Sequence, residues 1–489
     1  MTDKIYASFD EAVADIPDGA SIAAESWGVA ATPQNLIYAL KKRGTRDLTL
    51  VTHNFVPLLI FSDEEATMPT ALLPQLKRLL TPVVGVQRMG AGDFVKEYIL
   101  KGLEVELTSH GILASRLYAG AAGLGGIYSP VGLGTVLAGG KEKRVINGRE
   151  YLFESPVTVD CALIRARKAD RLGNLVYEGV YRADQPLMAM AAKVTIAEVD
   201  EIVEVGDIDP EHVVTPGIFV DRIVRIPEDG LGTPAKLNAM VSLLGGIDIA
   251  RRMLFREPVF ERVEAAEDTK PRLEMDVVAM RAAKELRDGD YANLGYGIPS
   301  LCAIYIPEGV IFQSENGALG YGPLITEDEI DKANWHYLAA GGRFFSPAPG
   351  MALFDVMTSF NMIRGGRMVS VMGALEVSER GDLANWNTGG DALGGTIGGG
   401  MDLAVGAKTM IITMSHTSSG GKPKIVKECG YPLTARECVD LIITDLAVIE
   451  VTPGGLILKE VAPGWTAEEV QGLTGATLIP APDLREMEL

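Results

Sequence analysis

One pattern runs through this chain and then restarts: helical stretches alternate with short β-branched runs. Between Ile5 and Val224, Asn35–Leu40 reads as helix, and Leu48–Val51, Val157–Ile164 and Val194–Ala197 read as strands. The texture changes from about Arg225 to Arg272. There an amphipathic stretch, Ala235–Leu254, precedes a charged run, Glu261–Lys270, that ends at Pro271 and reads as a surface linker. The alternation then resumes, with Ala279–Leu286 helical and Val310–Gln313, Met368–Met372 and Lys408–Met414 as strands. Alternation of this kind predicts α/β architecture around largely parallel sheets. At 489 residues the chain exceeds what one core comfortably supports. We expect two similar α/β domains, 1–225 and 272–489, joined by a linker at 226–271, with an active site between them.

The two halves also open alike. Asp18-Gly19, an apolar run, Gly28 and Pro33 in the first correspond to Asp288-Gly289, an apolar run, Gly297 and Pro299 in the second. In each, the next strand ends in a polar cluster, Thr52-His53-Asn54 or Ser314-Glu315-Asn316. Parallel sheets gather ligands at the carboxyl ends of their strands, so both clusters belong where a shared cleft can form.

Composition removes several classes of function. The net charge of −20 argues against binding nucleic acid or an anionic membrane, both of which need a cationic face. The longest uncharged stretch, Leu117–Gly140, holds eight glycines and Pro130, so it reads as buried turns and not as a membrane helix. Met1–Gly19 lacks the apolar centre of a signal peptide. Cys161, Cys302, Cys429 and Cys438 show no CxxC spacing, and His53, His110, His212, His336 and His416 show no metal-ligand spacing. HExxH, Walker A, GxSxG and full GxGxxG motifs are missing; Gly90-Ala91-Gly92 and Gly295-Tyr296-Gly297 are only near misses. The expectation is a cytoplasmic protein with no metal and no permanently bound cofactor.

The segment Gly309–Gly320 stands apart. Val310-Ile311-Phe312-Gln313 runs into Ser314-Glu315-Asn316-Gly317, which puts an acidic residue at a strand's end with glycines behind it. On spacing alone, an acidic residue in a solvated turn is the simpler reading. Ser314-Glu315-Asn316-Gly317, however, resembles the Ser-Glu-Asn-Gly signature of the β half of class I CoA transferases. Tyr291–Pro299, Gly381–Trp386 and Gly398–Leu403 resemble further segments of that half. Glu104–Thr108, Ala119–Gly123 and Lys168–Asn174 resemble the α half. The resemblance covers nearly the whole chain in the order α then β, as in the fused succinyl-CoA:3-oxoacid type.

The resemblance implies that Glu315 is a nucleophile that works by ping-pong chemistry. A carboxylate is already ionised at neutral pH and needs no general base. It attacks an acyl-CoA thioester to give an anhydride, and the returning CoA thiolate gives a glutamyl-CoA thioester; a second acid reverses these steps. Coenzyme A is then a substrate, exchanged between acyl-CoA and short carboxylic acids. Gly398, Gly399 and Gly400 are the implied oxyanion and CoA-side loop, with a tight packing turn as the alternative. Asn293, Gly295 and Gly297 are CoA-binding candidates. So are Lys422 and Lys424 in Ser415–Lys424, which equally reads as a plain solvated loop. A homodimer or higher homo-oligomer is the expected assembly.

Three departures from the family pattern fall in the first half. Its Gly-Gly-Phe-Gly opening is here Glu25-Ser26-Trp27-Gly28, its Asn-Asn pair is His53-Asn54, and the Gln of its Pro-Gln-Gly turn is His110. We expect Trp27, His53, Asn54 and His110 to line the acyl pocket and shape it for a particular acid. Two rival functions use the same residues or the same fold: an acyl-CoA hydrolase, and a non-catalytic sensor of acyl-CoA or a sugar phosphate.

Overall fold

The structure is a computed structural model that describes residues 4–55, 68–84, 93–233, 235–237, 239, 270–305, 307–389 and 395–488. Most of the expected linker and the stretch Ala235–Leu254, as well as Gly90-Ala91-Gly92, lie outside these residues. In the first half the strands are β1 (Ser21–Ala24), β2 (Leu48–Val51), β3 (Leu76–Thr81) and β4 (Glu104–Leu107). A small antiparallel sheet follows, built from β5 (Ile127–Ser129), β6 (Lys143–Ile146) and β7 (Arg149–Glu154). Then come β8 (Val159–Asp170), β9 (Leu175–Val176), β10 (Ala192–Val203) and β11 (Arg222–Arg225). The main sheet runs β11-β10-β8-β1-β2-β3-β4 with every neighbour parallel, and β9 is added antiparallel to β8.

The second half contributes β12 (Tyr291–Leu294), β13 (Ile311–Ser314), β14 (Ala318–Leu319), β15 (Ala352–Leu353) and β16 (Met368–Gly373). It continues with β17 (Glu376–Ser378), β18 (Leu383–Ala384), β19 (Thr409–Met414), β20 (Ile425–Val426) and β21 (Leu441–Thr444), and ends with β22 (Ala447–Thr452), β23 (Gly455–Val461) and β24 (Leu478–Glu486). Its main sheet is ordered β15-β14-β13-β12-β16-β19-β21-β22-β23-β24. The centre, β13-β12-β16-β19-β21, is parallel. The flanks add antiparallel pairs.

Local chemistry explains the elements that carry the site. β1 and β16 are nearly continuous apolar runs because a parallel strand is covered on both faces. The helix Gln34–Arg43 stops at Gly44, whose φ of 75° suits a left-handed cap, and its last turn carries Lys41, Lys42 and Arg43. The helix His110–Ala121 starts where the Ser109 hydroxyl accepts the Ile112 N–H. One correction concerns the glycine-rich stretch. Residues 122–126, expected as buried turns, lie mostly at the surface, with Leu124 47% exposed. They form the link between that helix and β5, outside both main sheets.

The halves share one large apolar cluster, and each also has a separate cluster of its own. Ala23, Leu113, Val159 and Leu187 of the first half belong to the same buried cluster as Phe344, Phe360, Leu403 and Met410 of the second. The path between the two main sheets is therefore packed.

Candidate active site

The carboxyl ends of both parallel sheets converge on Glu315. That residue follows β13 directly, in a turn fixed from both sides. The Ser314 hydroxyl donates to Asn316 Oδ1 at 2.7 Å and accepts the Ala340 N–H at 2.8 Å. Asn316 Nδ2 donates to the Leu338 carbonyl at 2.7 Å. Gly317 has φ 104° and lies so close to the Phe354 carbonyl that a Cβ would stand 2.0 Å from its oxygen, so only glycine fits. The Glu315 side chain is 15% exposed: withdrawn from bulk solvent, yet reachable.

Its two oxygens have different neighbours. Oε1 is 3.2 Å from Nδ1 of His110, which comes from the other half. Oε2 lies against Gly399, where a Cβ would stand only 1.9 Å away. The glycine loop is itself tied to the first half. The His110 N–H donates to the Gly398 carbonyl at 2.9 Å, and the Gly398 N–H donates to the Pro82 carbonyl at 3.3 Å. Gly111 N–H donates to Asp402 Oδ2 at 3.1 Å. Of the three loop N–H groups, that of Gly400 bonds to the Ile397 carbonyl, which leaves Gly399 N–H without a partner among the described residues.

The first-half candidates form a cluster behind His110. His110 Nε2 meets the His53 carbonyl at 3.1 Å, and the Trp27 and His110 rings are 4.5 Å apart. His53 is wholly buried, which pulls its imidazole well below its usual range; the His110 charge adds to this. His53 Nδ1 is 3.1 Å from Asp184 Oδ2 without a hydrogen bond forming between them. Trp27 is buried too, and Asn54, half-buried, donates its backbone N–H to Ser26 Oγ at 2.8 Å. Beyond them, the Glu25 and Asp184 carboxyls adjoin in full burial. Burial pushes Glu25 up to about 7, against two backbone N–H bonds from Trp27 and Ser26. Burial and then the Glu25 charge hold Asp184 well above the usual carboxylate range. Asp402 is also raised by burial, with Arg364 opposing that most.

The CoA-side candidates lie along the carboxyl edge of the second sheet. Asn293 is committed to a neighbour: its Nδ2 donates to Gln313 Oε1 at 2.6 Å. Gly295 and Gly297 turn the chain from β12 into the helix Ile298–Tyr305, with the Gly295 N–H donating to the Val371 carbonyl at 2.8 Å. Lys422 is exposed, and Lys424 Nζ lies 3.5 Å from Ser415 Oγ. Their loop is anchored by His416, buried between Thr444 and Thr474 and pulled down to about 3 by that burial. Sequence reasoning missed Asp184, Asp402 and Phe360. Asp402 stands in the quoted segment Gly398–Leu403, so that signal was present; Asp184 had none.

Fold and site together define an enzyme of the two-sheet α/β class, with the reachable Glu315 carboxylate where the sheets' carboxyl ends meet. The family model described as Coenzyme A transferase matches residues 6–225 and 276–472, and the chain belongs to that family. It is 36% identical over 509 residues to the mitochondrial succinyl-CoA:3-ketoacid coenzyme A transferase 2 of Homo sapiens, covering 99% of this chain and 92% of that protein. It is 43% identical over 213 residues to one of the subunits of the 3-oxoadipate CoA-transferase of Acinetobacter baylyi, covering 43% of this chain and 97% of that polypeptide. An acyl-CoA transferase apoenzyme from Escherichia coli O157:H7 has the same fold, with a TM-score of 0.74 at 21% identity over 99% of this chain and 95% of that one. The activity is transfer of CoA. Among the described residues no helix is long and apolar enough to cross a membrane.

Proposed function

We propose that CoA passes from succinyl-CoA or a similar donor to a short 3-oxo acid through a glutamyl-CoA thioester on Glu315. One observation carries this reading: the Glu315 carboxylate reaches the junction of the two halves with Oε1 on His110 and Oε2 against Gly399. Its small exposure favours transfer over hydrolysis, because a thioester kept from water survives until an acid arrives. Gly399 N–H is the oxyanion donor on the acyl side, in a loop that leaves no room for a side chain beside the carboxylate. His110 and half-buried Asn54 offer the surface an acyl group would touch; Trp27 and His53 support it from behind. Gly295, Gly297, Lys422 and Lys424 line the sheet edge along which CoA would lie.

The reading also includes two domains, 1–225 and 272–489, a cytoplasmic location and a homo-oligomer. The unpaired thiols support the location, and symmetric pairing is the commonest outcome for such chains. Incubation with a panel of acyl-CoAs followed by borohydride tests the mechanism. True donors should inactivate the enzyme and leave a reduced Glu315, and Glu315→Ala should lower turnover by several orders of magnitude. Near-normal exchange by that variant rejects the proposal. Free thiol released without an acceptor acid would identify a hydrolase instead.

A further inference from the structure

His110 meets an acceptor oxygen at each ring nitrogen. Nδ1 is 3.2 Å from Glu315 Oε1, and Nε2 is 3.1 Å from the His53 carbonyl. A carboxylate and a carbonyl both only accept, and a neutral imidazole carries a single N–H. A neutral ring would therefore satisfy one contact and set lone pair against lone pair at the other, in a site where His110 is 3% exposed. The imidazolium satisfies both. We propose that His110 acts as an imidazolium whose Nδ1–H holds Glu315 Oε1 and serves as the oxyanion donor for every step at the Glu315 carboxyl carbon. This rests on Glu315 being the nucleophile.

Charged and aromatic groups surround the ring. Glu315 faces the ring from the turn after β13, and the Asp402 carboxyl faces it from the helix Gly400–Gly406, with Arg364 3.8 Å from Asp402. Trp27 and Phe360 supply aromatic neighbours at 4.5 and 6.5 Å. His53, 5.5 Å away from the loop after β2, stays neutral, and the Asp184 and Glu25 carboxyls stand behind it. The helix starting at His110 opposes a cation there, but the half-charge of a helix end is outweighed by a full opposite charge in contact. Shifting the proton to Oε1 would give a neutral pair without a nucleophile.

The assignment of oxygens gives His110 its role. Oε2 bonds to the thioester carbon, the C–S bond breaks, and CoA leaves as thiolate; the anhydride then has Oε2 as its bridge and Oε1 as the glutamyl carbonyl oxygen. Thiolate attack on the glutamyl carbon forms the new C–S bond and drives the carbonyl pair onto Oε1. When that pair returns, the acid departs as a carboxylate that carries Oε2. The acceptor acid repeats the same two movements in reverse. Negative charge collects on Oε1 whenever the glutamyl carbon is attacked and on the acyl oxygen whenever the acyl carbon is; no proton changes hands, and the donor already in place at Oε1 is Nδ1–H.

The test follows the adduct itself. The full-length enzyme is mixed with succinyl-CoA or acetoacetyl-CoA without acceptor, quenched over time with borohydride, and the Glu315 peptide is quantified by mass spectrometry from pH 6 to 10. Wild type should form the adduct more slowly as pH rises, along a single-proton limb. His110→Gln keeps a neutral N–H; it should be about tenfold slower near pH 7 and flat across that range. His110→Ala should be slower by about 10²-fold or more. A His110→Gln enzyme with the wild-type rate and the wild-type limb overturns the proposal and leaves the nucleophile standing. Wild type with no adduct on Glu315 overturns both.

Discussion

In the proposed mechanism, the single hydrogen atom on the Gly399 Cα decides whether Glu315 is placed to act. A methyl group at 399 would enter the space of Oε2, 1.9 Å from it, yet the backbone there has an ordinary φ of −88°. The clashing atom is the tip of a flexible side chain, so Gly399→Ala should be accommodated by swinging the carboxylate aside. The expected outcome is a melting temperature within a few degrees of wild type and a loss of about 10²-fold in kcat, the usual cost of misplacing a reacting group by an ångström. A large drop in stability, or unchanged turnover, would contradict this account of the loop. The sequence announced Glu315 through Ser314-Glu315-Asn316-Gly317 and announced its glycine neighbours. It could not announce that Oε1 is held by a residue 205 positions earlier, because that pairing depends on how two sheets meet.

At the level of elements, the loops after β1 and β2 and the start of the helix Gln185–Ala191 bring together three buried titratable groups. The strand positions were legible: Leu48–Val51 is a strand over the expected residues, and Val194–Ala197 lies inside β10. The cluster was only half legible. Glu25 and His53 were visible as departures from a family pattern, whereas Asp184 follows Arg182-Ala183 with nothing local to mark it. The cluster has a thermodynamic signature. Unfolded, Glu25 titrates near 4.5; folded, burial lifts it to about 7. Between these values the folded chain holds a proton that the unfolded chain has released, so stability is full below 4.5 and is lost as pH rises through 7. Glu25→Gln retains an oxygen for the Ser26 and Trp27 N–H groups and removes the titration. Urea unfolding at pH 5, 6.5 and 8 should show a steeper fall for wild type than for the variant, in which Asp184 still titrates, with a difference of roughly 3 kcal/mol at most. Parallel curves for the two proteins would mean that Glu25 is ionised throughout.

For the whole molecule, the proposed site lies where the halves meet. Glu315 and Gly399 come from the second half; His110 and the residues behind it come from the first. Contacts hold them in register across the junction: His110 N–H to the Gly398 carbonyl, Gly111 N–H to Asp402, Arg364 Nη2 to Ser115 Oγ at 2.9 Å, and Val356 N–H to the Ala183 carbonyl at 2.8 Å. The shared apolar core supplies the bulk of the adhesion. None of these contacts needs the charged run Glu261–Lys270 to be continuous, so the covalent join contributes chiefly effective concentration. A chain cut within that run and produced as two polypeptides should reassemble when co-expressed, and dilution of the purified pair should lower specific activity in step with dissociation. Each polypeptide alone should transfer no CoA, even though the second retains Glu315, because it lacks the donor on Oε1. Transfer by residues 272–489 on their own would show that the carboxylate needs nothing from the first half, and the junction would lose its claim to be the site.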